Sequence, residues 1–207
     1  MFKKFFVATL LIYLILLSSS ASYAAQSEIY RMGIFLSNFT ETGLYDFDIN
    51  LDGDEDILHL GNPVNVSELI RFGIVHNFIN NQKSTIKKCK DQNCEYGPYI
   101  ISGKAVVASV KKYFDMDIKN KSITNSSPEI YFDGENYHFD KPEDEDAPYY
   151  AEVKNVKKSG NIITMTGEIY NLKNKSDRPA TFYATAKAYK YNKKNTWAIL
   201  SLKLDWK

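Results

Sequence analysis

Oxygen-bearing side chains recur at alternate positions in one stretch of the chain, Asp48-Ile49-Asn50-Leu51-Asp52-Gly53-Asp54-Glu55-Asp56. A hard cation such as Ca²⁺ collects about six to eight oxygens from a tightly curled backbone, and glycine permits the sharp turn. Asp48, Asn50, Asp52, Asp54 and Asp56 are therefore the expected metal ligands. Charge density points the same way. From Thr42 to Asp56 stand six carboxylates and neither lysine nor arginine, and like charges gathered without a cation repel one another. The alternative for the same residues is a plain hairpin tip, because Asn and Asp tolerate left-handed backbone and Gly supplies positive φ.

The segment resembles the D-x-N-x-D-G-x-x-D loop of FG-GAP, dockerin and EF-hand proteins, over about a dozen residues. With Asp48 as the first loop position, the twelfth is His59, where an EF-hand places its bidentate Glu. The flanks Leu44-Tyr45-Asp46-Phe47 and Ile57-Leu58-His59-Leu60 both alternate, so a strand-loop-strand site of the FG-GAP kind fits better. The resemblance implies a structural calcium site with His59 beside it.

The other histidines are His76 and His138. His76 sits on the apolar side of an expected helix, and His138 alternates inside a short strand between Tyr137 and Phe139. Either could serve a hydrolase by working with carboxylates from the Asp46–Asp56 region, although both placements also suit ordinary core or boundary residues. No H-E-x-x-H, G-x-S-x-G, P-loop or dinucleotide fingerprint occurs. Cys89 and Cys94 are the sole cysteines, an even pair expected to form a disulfide in an oxidising compartment. Lys187-Ala188-Tyr189-Lys190-Tyr191-Asn192-Lys193-Lys194 interleaves aromatics with base, and reads first as a solvated strand end.

The compartment follows from the N-terminus. Met1-Phe2-Lys3-Lys4 precedes an apolar run from Phe5 to Leu17, then Ser18-Ser19-Ser20-Ala21-Ser22-Tyr23-Ala24. This is a basic start, an apolar stretch short of a bilayer span and a small-x-small exit. Residues 1–24 are expected to be a cleaved signal peptide, leaving 25–207 as a single α+β domain exported to the periplasm or the exterior. Cleavage also removes Lys3 and Lys4. Starting from a formal charge of +1, the mature chain has no general pull on nucleic acid or membrane.

The elements that must position these residues divide by period. Ile29, Met32, Leu36 and Phe39 predict a helix from Ser27; Leu69, Phe72, His76 and Ile79 predict a second, opened by a capping box of Asn65 and Glu68. A third is expected from Ser102 to Phe114, with Val106, Val110 and Tyr113 or Phe114 inward. These fill a helical part, 25–128. From Glu129 the period becomes two, giving a sheet part, 129–207. Hairpins are expected around Asp133-Gly134, Ser159-Gly160 and Lys193-Lys194-Asn195, with an acidic connector at Glu143–Asp146. In the last strand Ala198, Leu200, Leu202, Leu204 and Trp206 are expected to share one face, and small residues at Ala184, Ala186 and Ala188 let helices lie close.

Three helices followed by an antiparallel meander make an α+β fold whose element order is similar to a cystatin-like or nuclear-transport-factor-like cone. With 44% hydrophobic and 25% charged residues the chain is neither disordered nor polytopic. The expected function is an exported, non-catalytic binding protein of inhibitor or immunity type, taking an unknown protein or cell-envelope ligand. The hydrolase above is one rival. A calcium-dependent adhesion or cell-wall-binding module, using exposed tyrosines, is the other.

Overall fold

In a computed structural model of the protein, the described residues are 26–49, 62–90, 94–124, 129–142 and 149–207. The expected signal peptide and its cleavage point at Ala25, the loop residues Asn50, Asp52, Asp54 and Asp56 with His59, and the connector Glu143–Asp146 lie outside them.

The apolar spacing at Met32, Leu36 and Phe39 forms helix α1, 26–40, with all three side chains buried. Strands β1 (Phe47–Asp48) and β2 (Asn62–Pro63) follow, then helix α2, Val66–Asn80. The capping box forms as its sequence predicts. Asn65 N–H donates to Glu68 Oε2 at 2.8 Å, and Glu68 N–H donates to Asn65 Oδ1 at 3.1 Å. A short helix α3 (Gln82–Thr85) leads into β3 (Ile86–Lys88) and β4 (Tyr99–Ser102). Ser102 then caps helix α4, Gly103–Phe114, by accepting from Ala105 N–H.

The remaining elements are strands: β5 (Tyr131–Phe132), β6 (Asn136–Phe139), β7 (Tyr149–Ser159), β8 (Ile162–Asn171), β9 (Ala180–Tyr191) and β10 (Lys194–Trp206). They build two sheets where the sequence suggests one. A six-stranded sheet runs β2-β1-β10-β9-β8-β7, antiparallel except between β1 and β2, and a four-stranded antiparallel sheet runs β3-β4-β6-β5. The Asp133-Gly134 hairpin therefore pairs with strands from within 25–128, a stretch that is not purely helical.

Helices α2 and α4 serve both sheets. Leu69 and Phe72 of α2, with Val110 and Phe114 of α4, join the larger core with α1 and the six-stranded sheet. Ile70 and Ile74, with Val106, join a second core under the four-stranded sheet. A helix covered on two sides needs a wide apolar arc, and the buried set of α2 accordingly extends to Ile70 and Ile74. Ile79, expected inward, is 45% exposed instead. The two helices touch at Gly73, where an added Cβ would come within 2.8 Å of Val106 Cγ1.

The last hairpin differs from expectation in two ways. Its turn is Asn192-Lys193, both at positive φ, joining Tyr191 to its partner Lys194. This is the two-residue geometry that matches strand twist, and Asn adopts it readily. In β10 the register slips between Ile199 and Ser201, so Leu200 is an extra residue opposite β9. The bulge reverses the alternation. Ile199 joins Leu202 and Leu204 in the core beneath α1, with Trp197 packed against it, whereas Ala198 and Leu200 are buried outside that cluster.

Candidate functional site

The bulge at Leu200 decides where Trp197 points. Placed on the α1 side, its indole meets Phe35 edge-on at 5.8 Å between ring centroids. The Arg31 guanidinium, one helical turn before Phe35, lies 5.4 Å from the indole centroid. Across the sheet Trp197 is paired with Ala188, whose small side chain leaves the ring's surroundings open. The result is a cleft of about 540 Å³ between the first turns of α1 and the ends of β7, β9 and β10.

Its charged side chains are Glu28, Arg31, Lys158 and Lys190. Both oxygens of Glu28 accept from Lys158 Nζ, at 2.8 and 2.7 Å, which ties α1 to the end of β7. Arg31 and Lys190 have no ion pair among the described residues. A guanidinium over an aromatic face still carries five N–H donors, so the cleft presents donors above an aromatic floor. Lys190 belongs to the aromatic-basic Lys187–Lys194 stretch, whereas Arg31, Lys158 and Trp197 stand outside every motif of the sequence. Only the aromatic-basic interleaving just before Trp197 hinted at them.

His76 is 3% exposed and stacks on Phe72 with an interplanar angle of 8°. Tyr113 meets it edge-on at 4.7 Å. Asn80 Nδ2, which can only donate, lies 3.3 Å from Nδ1, so the ring nitrogen accepts. The same amide donates to Glu41, which Tyr150 also hydrogen-bonds. The chain Tyr150, Glu41, Asn80 and His76 thus joins β7, the end of α1 and α2. Burial first, and the nearby Lys112 charge second, push the His76 pKa down to about 4. Burial raises that of Glu41. His76 is a neutral ring in an aromatic wall, and the carboxylate it reaches through Asn80 is Glu41.

His138 shares a row across the smaller sheet with Lys87, Ile100 and Tyr131. Its Nε2 lies 2.8 Å from Asp133 Oδ2. The other oxygen of Asp133 accepts from Glu135 and Asn136 N–H at 2.8 and 2.6 Å. The Asn136 bond above all, then His138 and Glu135, hold that carboxyl pKa down to about 2. The pair fastens a hairpin turn, and among the described residues His138 has no second hydrogen-bond partner.

Of the expected calcium ligands only Asp48 is described. It ends β1 beside Ser201 and is 4% exposed. Among the described residues no three His, Cys, Asp or Glu side chains gather to hold a metal ion. The expected disulfide joins Cys89 to Cys94. Beside it, Tyr96 stacks on Tyr131 at 4.4 Å. No helix among the described residues is long and apolar enough to cross a membrane. Comparison of the chain with protein-family models, curated proteins and solved structures finds no match.

Proposed function

We propose that this chain is an exported, non-catalytic binding protein of inhibitor or immunity type, whose contact site is the cleft over Trp197. The observation that carries the reading is the Arg31 guanidinium laid on the indole with no ion pair among the described residues. An arginine over an aromatic ring, with no ion pair among the described residues, is the kind of anchor that dominates binding surfaces. The disulfide and the signal-like N-terminus support export. A calcium loop over Asp48–Asp56 belongs to the same reading as a structural element. So does the cone-like arrangement, which α1 lying against the six-stranded sheet supports.

The hydrolase reading has one observation in its favour, the 2.8 Å pair of His138 and Asp133. The test separates the two. The protein and its Arg31→Glu variant are used as baits on material from the producing cells, and any captured protein is purified and titrated against both. Equal binding to both baits removes the cleft from the reading. Turnover of an ester or peptide substrate that disappears in His138→Ala replaces it with the hydrolase.

A further inference from the structure

The geometry points to an acidic peptide segment of a partner protein as the occupant of this cleft, with a carboxylate seated on Arg31. This rests on the binding-protein reading and names its ligand chemistry. Three observations lead to it. The first is the arginine itself, exposed on α1 and held over Trp197. The ring attracts the guanidinium, whose planar N–H fork matches the two oxygens of a carboxylate.

The second is the charge balance. The cleft carries three cations and one carboxylate, and Glu28 is already spent on Lys158. Arg31 and Lys190 have no acid of their own among the described residues, and such cations raise the local potential, which draws in and orients an anion. The chain as a whole has a formal charge of only +1, so the excess of cations in the cleft is a local feature. A confined basic site suits a short acidic segment better than a long polyanion or a charged bilayer, which would need a broad basic face.

The third is size. About 540 Å³ far exceeds one inorganic anion and falls in the range of sites that hold a drug-sized group, enough for a carboxylate side chain with its neighbouring backbone. The polar Asn195 and Thr196 line the same space and offer hydrogen bonds to a bound backbone.

The experiment measures fluorescence anisotropy of a labelled octapeptide of alternating Glu and Gly against the purified protein. The controls are the same peptide with Gln for Glu, free citrate, a single-stranded oligonucleotide and phosphatidylglycerol vesicles. Wild type binds the Glu peptide, the Gln peptide binds at least about tenfold more weakly, and added salt weakens the complex. Arg31→Gln loses about tenfold or more. Arg31→Lys, which keeps charge without the fork, falls between. Circular dichroism confirms that both variants stay folded. Equal affinity for Glu and Gln peptides, or an Arg31→Gln variant that binds as wild type does, overturns the inference. So does tighter binding of citrate, oligonucleotide or vesicles. A captured partner whose complex ignores both Arg31 and competing Glu peptide defeats this inference alone. Absence of any captured partner defeats the reading beneath it.

Discussion

Ser37 Oγ accepts the backbone N–H of Ala151 at 3.0 Å and donates to the carbonyl of Gly33 at 2.8 Å. One buried hydroxyl thereby joins α1 to β7, the outer strand of the six-stranded sheet. Thr40 repeats the device by donating to the Tyr149 carbonyl. Gly33 makes the approach feasible, since an added Cβ would stand 2.9 Å from the Ala151 carbonyl oxygen. The first half of an otherwise unpaired edge is thus covered by a helix, and Lys154, Lys157 and Lys158 follow in its second half.

Replacing Ser37 by Ala strands the Ala151 N–H in a buried place. The expected cost is about 1–3 kcal/mol, read as a lower denaturant midpoint with unchanged slope. A midpoint equal to wild type would show that the hydroxyl does not hold α1 to the sheet.

Acid should destabilise the fold through His76. Its folded pKa is lowered to about 4 from an ordinary value of 6.5. Below 6.5 the unfolded chain takes up a proton that the folded ring refuses, so stability is full above that pH and falls as pH drops toward 4. The loss is at most about 3 kcal/mol. Glu41, with its pKa raised, acts oppositely as pH rises through the carboxylate range. In His76→Phe, which keeps a ring against Phe72 and Tyr113, the slope of stability between pH 6.5 and 4 should shrink. An unchanged slope would assign the acid sensitivity elsewhere.

The Cys89–Cys94 bond should be detectable by intact mass, which rises by two hydrogens on reduction. Its loop is short, so reduction should cost no more than about 2 kcal/mol and leave the fold standing. Two thiols that alkylate freely without reductant would rule the bond out.

Calcium is tested by melting wild type and Asp52→Ala with excess metal and with chelator. If the loop binds, calcium at about a hundred times its Kd adds roughly 2.7 kcal/mol to wild type and little to the variant. Magnesium, which demands a tighter octahedron, should substitute poorly. A wild-type midpoint indifferent to calcium would leave an acidic turn and no metal.

Local signals were legible in the residues. Apolar spacing marked α1, α2 and α4, because amphipathic period is a property of the helix itself. Asn65 with Glu68 marked the start of α2, and Asp133-Gly134 the β5–β6 turn, because those bonds close within three residues. The cysteine pair, five positions apart, was likewise local. Strands β3 and β4 were not legible. Their pairing with β6 spans tens of residues and leaves no period in three- or four-residue strands.

Tertiary structure alone decided the candidate site. Strict alternation in β10 put Ala198 and Leu200 on one face with Leu202, which turns Trp197 away from that face. The extra residue at Leu200 reverses the parity, so Trp197, Ile199 and Leu202 belong to one core and the indole lies under Arg31. A bulge is set by what the two faces of a strand must pack against, and no residue in β10 announces it. The sequence by itself determined the three longer helices, the long hairpins, the cysteine pair and the acidic loop's composition. The fold determined which tryptophan meets which arginine, because that contact joins residues 31 and 197 through packing that neither segment encodes alone.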